Sequence, residues 1–130
     1  MGALLDREES SLAEAGDSAS LDAETSETIE LARALGAMGL HVGRVVVNGV
    51  LPPLFSKVER AELEGVKEVD LAVPGESALA AGRDRATRER VQAESLNRLS
   101  RELPVSPAFL PLLMEDAAKP EAIAQLAKRV

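Results

Sequence analysis

The β-branched run Val45-Val46-Val47 stops at Asn48, and Pro52-Pro53 follow soon after. Such a run reads as a short buried strand, and the prolines cannot continue a central strand. A helical pattern precedes it. Helix, buried parallel strand, then a polar residue and a loop at the strand's carboxyl end is how open α/β sheets build ligand crevices. No Gly-Lys-Ser or Gly-Lys-Thr occurs in the sequence, so the loop that cradles nucleotide phosphates is absent from it.

Two Phe and no Trp or Tyr among 130 residues require an aliphatic core of Leu, Val, Ile and Ala. The same poverty argues against nucleic-acid partners, which stack bases on aromatic platforms. A net charge of −7 gives no global attraction for phosphate backbones or anionic membranes. With no cysteine there are no disulfides, thiolate nucleophiles or cysteine-ligated metals. The first residues lack the basic and apolar regions of a signal peptide, and Asp6 stands where a myristoylation motif wants Ser or Thr. No apolar run approaches the ~20 residues that span a bilayer. The expectation is a cytoplasmic protein of one domain, with no nucleic-acid partner and no stable membrane insertion.

Residues 1–25 are rich in Glu, Ser, Asp and Ala and bury too little apolar surface to offset their ordering entropy. They read as an acidic, mobile segment, mostly disordered or weakly helical, before a domain at residues 26–130. From Ser26, Leu31, Leu35 and Met38 share one helical face, flanked by Ile29 and Ala32, with Thr25 or Ser26 as cap. Gly39-Leu40 reads as a Schellman stop. A strand at Arg44–Asn48 follows. Residues 51–82 form a long connection, with a short helix within Ser56–Glu68 and a turn at Pro74-Gly75. Arg83–Leu103 is a helix with Leu96, Leu99 and Leu103 inward. Val105–Leu110 is a strand that leaves at Pro111. Pro120 opens a last helix whose inner face is Ile123, Leu126 and Val130. This order predicts an α/β layer with few parallel strands flanked by helices.

In that order, several motifs resemble the carboxyl-terminal part of the anion-transporting ATPase family. They are Glu27-Thr28, Val45 to Pro52, Arg88-Glu89-Arg90-Val91-Gln92, the stripe Leu96 and Leu99, and Leu110-Pro111-Leu112-Leu113. That family includes the arsenical-pump-driving ATPase and relatives that target tail-anchored membrane proteins. The resemblance implies a partial P-loop-NTPase-like layer in which Asn48 meets an adenine edge. It also implies that Pro111 packs on the base, with Leu112 and Leu113 behind. An Asn amide offers both the donor and the acceptor that a purine edge needs.

The family's phosphate loop, switch residues and magnesium-binding Asp would lie upstream of Met1. Leu12 to Thr25 lacks the apolar strand the family has there, and Gly49 stands where a basic residue is commoner. The implied protein is therefore a truncated or degenerate relative that holds ATP or ADP through the base only, with no metal site and no catalytic residue of its own. It would act as a homodimer or with a partner ATPase subunit. The alternatives are a non-enzymatic interaction module, or a subunit complementing a separate amino-terminal ATPase half.

Each motif also has a plainer reading. Asn48 can cap the strand by bonding the loop backbone. His41, the single histidine, has no neighbouring metal or triad partner in the sequence and reads as a connector residue. The arginines at 83, 85, 88, 90, 98 and 101 alternate with Asp84, Glu89, Glu94 and Glu102, which describes a solvated helix face. Glu115-Asp116 read as helix-start residues.

Overall fold

The computed structural model describes residues 17–113 and 118–130. Among them are four helices and a two-stranded parallel sheet: α1 (Asp17–Ala37), β1 (Val46–Val50), α2 (Lys57–Glu64), α3 (Pro74–Glu102), β2 (Ala108–Pro111) and α4 (Pro120–Ala127). The fold is α/β and rich in helix. The readings of residues 1–16 and of Glu115-Asp116 lie outside the described residues.

Helix α1 begins at Asp17, well before the expected start at Ser26, so Thr25 and Ser26 are interior residues rather than caps. The polar residues of its first turns are held by their surroundings. Thr25 is fully buried and its hydroxyl donates to the Leu21 carbonyl at 2.8 Å. Arg98 of α3 reaches across to Ser26 Oγ at 3.0 Å and Asp22 Oδ1 at 3.4 Å. The buried stripe is also rotated from the expected one. Thr25, Ile29 and Ala32 face inward, whereas Leu31 and Met38 are 55% and 73% exposed. The helix stops as expected: Gly39 adopts φ +78°, and Leu40 N–H donates to the Leu35 carbonyl at 2.9 Å. Those two features are the Schellman geometry, which an L-residue at position 39 would strain.

The strands pair Val46 with Ala108, Val47 with Phe109 and Val50 with Pro111. Both run slightly later than the sequence pattern suggested. Pro111 belongs to β2 because it sits at the strand's last position, where no further ladder donor is needed. The next residue, Leu112, supplies the N–H that the Val50 carbonyl accepts at 2.7 Å. Between Val47 and Val50 the register slips: Asn48 and Gly49 stand opposite the single residue Leu110. Gly49 takes φ +69° to make this bulge.

The expected turn at Pro74-Gly75 is instead the start of α3, with Pro74 in its first turn. Proline is preorganised for that position and lacks only an N–H that would have no helical partner. The short helix expected after Ser56 is α2, closed by a capping box. Glu59 N–H donates to Ser56 Oγ at 3.2 Å, and Ser56 N–H donates to the Glu59 carboxylate at 2.7 Å.

One core joins these elements: Ile29 and Ala32 from α1, Val47 from β1, Leu99 from α3 and Leu103 just beyond it. Val42, Val45, Val50, Leu96 and Phe109 pack on its margin. The Leu96, Leu99 and Leu103 stripe faces inward as expected. The last helix does not follow its pattern, because Ala122 is its buried residue while Ile123 and Val130 are more than half exposed.

These burials set a contrast measurable by urea unfolding. Leu99→Ala should cost about 3 kcal/mol, through lost transfer energy and a cavity at a fully buried site. Ile123→Ala, at an exposed site, should cost less than about 1 kcal/mol.

Candidate functional site at the strand ends

The carboxyl ends of β1 and β2 lie side by side because the strands are parallel and paired up to Val50 and Pro111. The bulge places Asn48 and Gly49 just before that last pair. Asn48 is exposed, Pro111 and Leu113 are half-buried, and Leu112 is exposed. Pairing thus brings Asn48 and Pro111 to one end of the sheet, with Leu112 tied to Val50. The arrangement offers one uncharged donor–acceptor side chain beside apolar surface, suited to holding a planar polar ligand rather than to bond chemistry. His41 is exposed, as a connector residue would be.

The segment after β1, Leu51 to Phe55, is held by a row of polar side chains on α3. Gln92 takes both groups of Leu51: its Oε1 accepts the N–H at 2.8 Å, and its Nε2 donates to the carbonyl at 3.0 Å. Glu89 accepts the N–H of Leu54 at 3.1 Å and of Phe55 at 3.3 Å. Arg85 donates to the Pro52 carbonyl and, through Nε, to Glu89 at 3.0 Å. Arg60 of α2 stands 3.8 Å from the same carboxylate. Arg85, Glu89 and Gln92 are spaced by four and three, so they share one face of α3.

Glu89 corrects the reading of α3 as a uniformly solvated charged face. Its side chain is 2% exposed. Burial opposes its charge, but Arg85 and the Leu54 and Phe55 amides outweigh that opposition, so its carboxyl is held below the usual carboxylate range. Other charges on this helix do form a partly solvated network. Arg90 bonds Glu64 of α2 at 2.8 Å and Glu94 at 3.1 Å, and Arg98 bonds α1 and Glu102. A shallow cleft of about 480 Å³ runs over this face, lined by Arg90, Ser95, Arg98, Arg101, Asp22 and their neighbours.

In the sequence, Arg85 and Glu89 read as part of a solvated charged face, and Glu89 and Gln92 as part of the Arg88–Gln92 motif, with no hold on the loop implied for any of them. The available signal was their four-and-three spacing opposite a Pro-containing segment whose own backbone cannot complete a ladder.

The lowered Glu89 pKa fixes a sign. Below the usual carboxylate range the unfolded chain takes up the proton first, so the stabilisation is present above that range. It is lost as pH falls through the unfolded and then the folded value. Unfolding midpoints measured from neutral to acid pH should fall across this window. Glu89→Gln should be less stable at neutral pH by about 2 kcal/mol and show a shallower acid slope.

Among the described residues no three His, Asp or Glu gather as a metal site, and no helix is long and apolar enough to cross a membrane. No family model matches the chain, and no match to it was found among curated proteins or solved structures.

Proposed function

We propose that the chain is a degenerate relative of the anion-transporting ATPases that keeps the base side of a nucleotide site, in a partial P-loop-NTPase-like layer. The observation that carries this reading is the placement of Asn48. It is exposed at a bulge beside the carboxyl end of a parallel strand, next to the Pro111-Leu112 end of its neighbour. A purine edge needs a paired donor and acceptor, and its faces need apolar cover; Asn48 with Pro111, Leu112 and Leu113 supplies both. The phosphates of ATP or ADP would have no backbone cradle and no Lys from a phosphate loop, so turnover by this chain alone is not expected. The setting would be cytoplasmic.

Titration with ATP, ADP and adenosine tests the reading. Comparable weak affinity for all three, with adenosine preferred over guanosine, is the expected result. Asn48→Ala should remove that preference, worth about 1–3 kcal/mol for a lost hydrogen-bonding pair. No preference in the native chain, or a preference that survives Asn48→Ala, would leave Asn48 as a strand cap. Magnesium-dependent ATP hydrolysis that persists across purification hosts would contradict the base-only reading.

The sheet supports a companion reading of an interaction module, acting as a homodimer or with a partner ATPase subunit. Two parallel strands are few for a stable sheet, and Val46 is exposed on β1. An uncovered strand is a template for pairing, and the acidic charge would keep such an assembly soluble. Light scattering at low micromolar concentration should give a mass above that of one chain. A cooperatively unfolding monomer at that concentration would remove self-association from the reading.

A further inference from the structure

The bulge at Asn48-Gly49 is a two-residue span, and what lies on either side decides where it points. On one side, Val47 is buried in the core and paired with Phe109. On the other, Val50 is opposed to Pro111 and its carbonyl accepts Leu112 N–H. The next peptide groups, at Leu51, are gripped by Gln92 as donor and acceptor at once, at 3.0 and 2.8 Å. Glycine at φ +69° has ready access to other backbone conformations, so the bulge does not hold its own direction. Its geometry must be imposed from its flanks.

We propose that Gln92, backed by Glu89 and Arg85, is the positioning residue of the strand-end site, an inference that rests on the base-binding reading of Asn48. The side-chain hydrogen bonds of Gln92 go to Leu51, three residues beyond Asn48. Gln92 acts through Leu51, fixing the carboxyl-terminal flank of the bulge and so the direction in which the Asn48 amide is presented. Glu89 and Arg85 anchor the following residues, Pro52 to Phe55, so that the Leu51 peptide groups cannot swing away from Gln92. The row reaches across a sequence separation of 33 to 41 residues, so α3 rather than the loop's own sequence sets the site.

Amide exchange and nucleoside titration by NMR on the full chain test this, using Gln92→Leu and Gln92→Glu. The second variant keeps an acceptor for Leu51 N–H but sets a charged carboxylate oxygen where the donor stood, and it retains the polar side chain that the first removes, so a folded sample is available from one if not from the other. Exchange at Asn48, Gly49 and Val50 should rise roughly tenfold, the size expected for losing one such hydrogen bond, with the Ile29 and Leu99 amides unchanged. The preference for adenosine over guanosine should collapse in the same variants.

Exchange that rises only at Leu51 to Phe55, leaving Asn48 to Val50 unmoved, would overturn the positioning role. A native preference that survives both variants would overturn it too, while the base-binding reading stood. Absence of any preference in the native chain would overturn base binding instead. The exchange at Asn48 to Val50 would then decide the positioning role alone.

Discussion

Glu89 lies out of water with its charge intact, and several parts of the fold are arranged around the need to answer that charge. A buried carboxylate without partners costs several kcal/mol, so its neighbours must bring donors to it. Arg85 brings one from the preceding turn, and the Leu54 and Phe55 amides bring two more from the loop. Those amides need Glu89 as much as it needs them. Pro52-Pro53 remove N–H groups from the segment, and the backbone there has no strand to pair with. One carboxylate therefore fixes both the course of the chain out of β1 and the approach to α2.

That course explains which side chains face solvent. With the loop's polar backbone turned toward Arg85, Glu89 and Gln92, Pro52, Pro53 and Leu54 are left exposed. An apolar loop is usually oriented by burying its side chains; here the backbone is buried on a polar row and the side chains are displayed. The consequence is a firm rim beside the strand ends, built from a composition that would otherwise be expected to fold inward. Buried polar groups that are all satisfied specify one arrangement more sharply than apolar contacts, because a shifted register leaves donors unpaired.

The sequence was most legible where a rule acts locally. The valine run, the Gly39-Leu40 stop, the short helix within Ser56–Glu68 and the inward Leu96, Leu99 and Leu103 each follow from neighbours within a turn or two. It was least legible where distant residues decide. The first turns of α1 carry few apolar residues, and their helix is held by Thr25 packing and by Arg98 from α3. The choice between the Leu31–Met38 face and the Thr25–Ala32 face depends on which side α3 occupies, which periodicity alone does not state. Glu89 looked like one more charge in an alternating series, since burial of a carboxylate shows only when its donors arrive from a segment 34 residues away. At the candidate site, Asn48 could be singled out from its position after the strand. The bulge that aims it could not, because it arises from how β1 meets β2.

Helix α3 is the element that makes these separate requirements compatible. At 29 residues it is roughly 43 Å long, enough to present different partners along different faces. One stripe along the helix gives Leu96 and Leu99 to the core and, nearer its amino end, Arg85, Glu89 and Gln92 to the loop, while off that stripe Arg90 reaches α2 and Arg98 reaches α1. A sheet of two strands has little cooperativity of its own, so its geometry is inherited from this helix. Small displacements of α3 would therefore reach the core, the loop and the strand ends together, because Leu99, Glu89 and Gln92 move as one rigid row. The same rigidity lets a strand end opened by a bulge hold a defined direction.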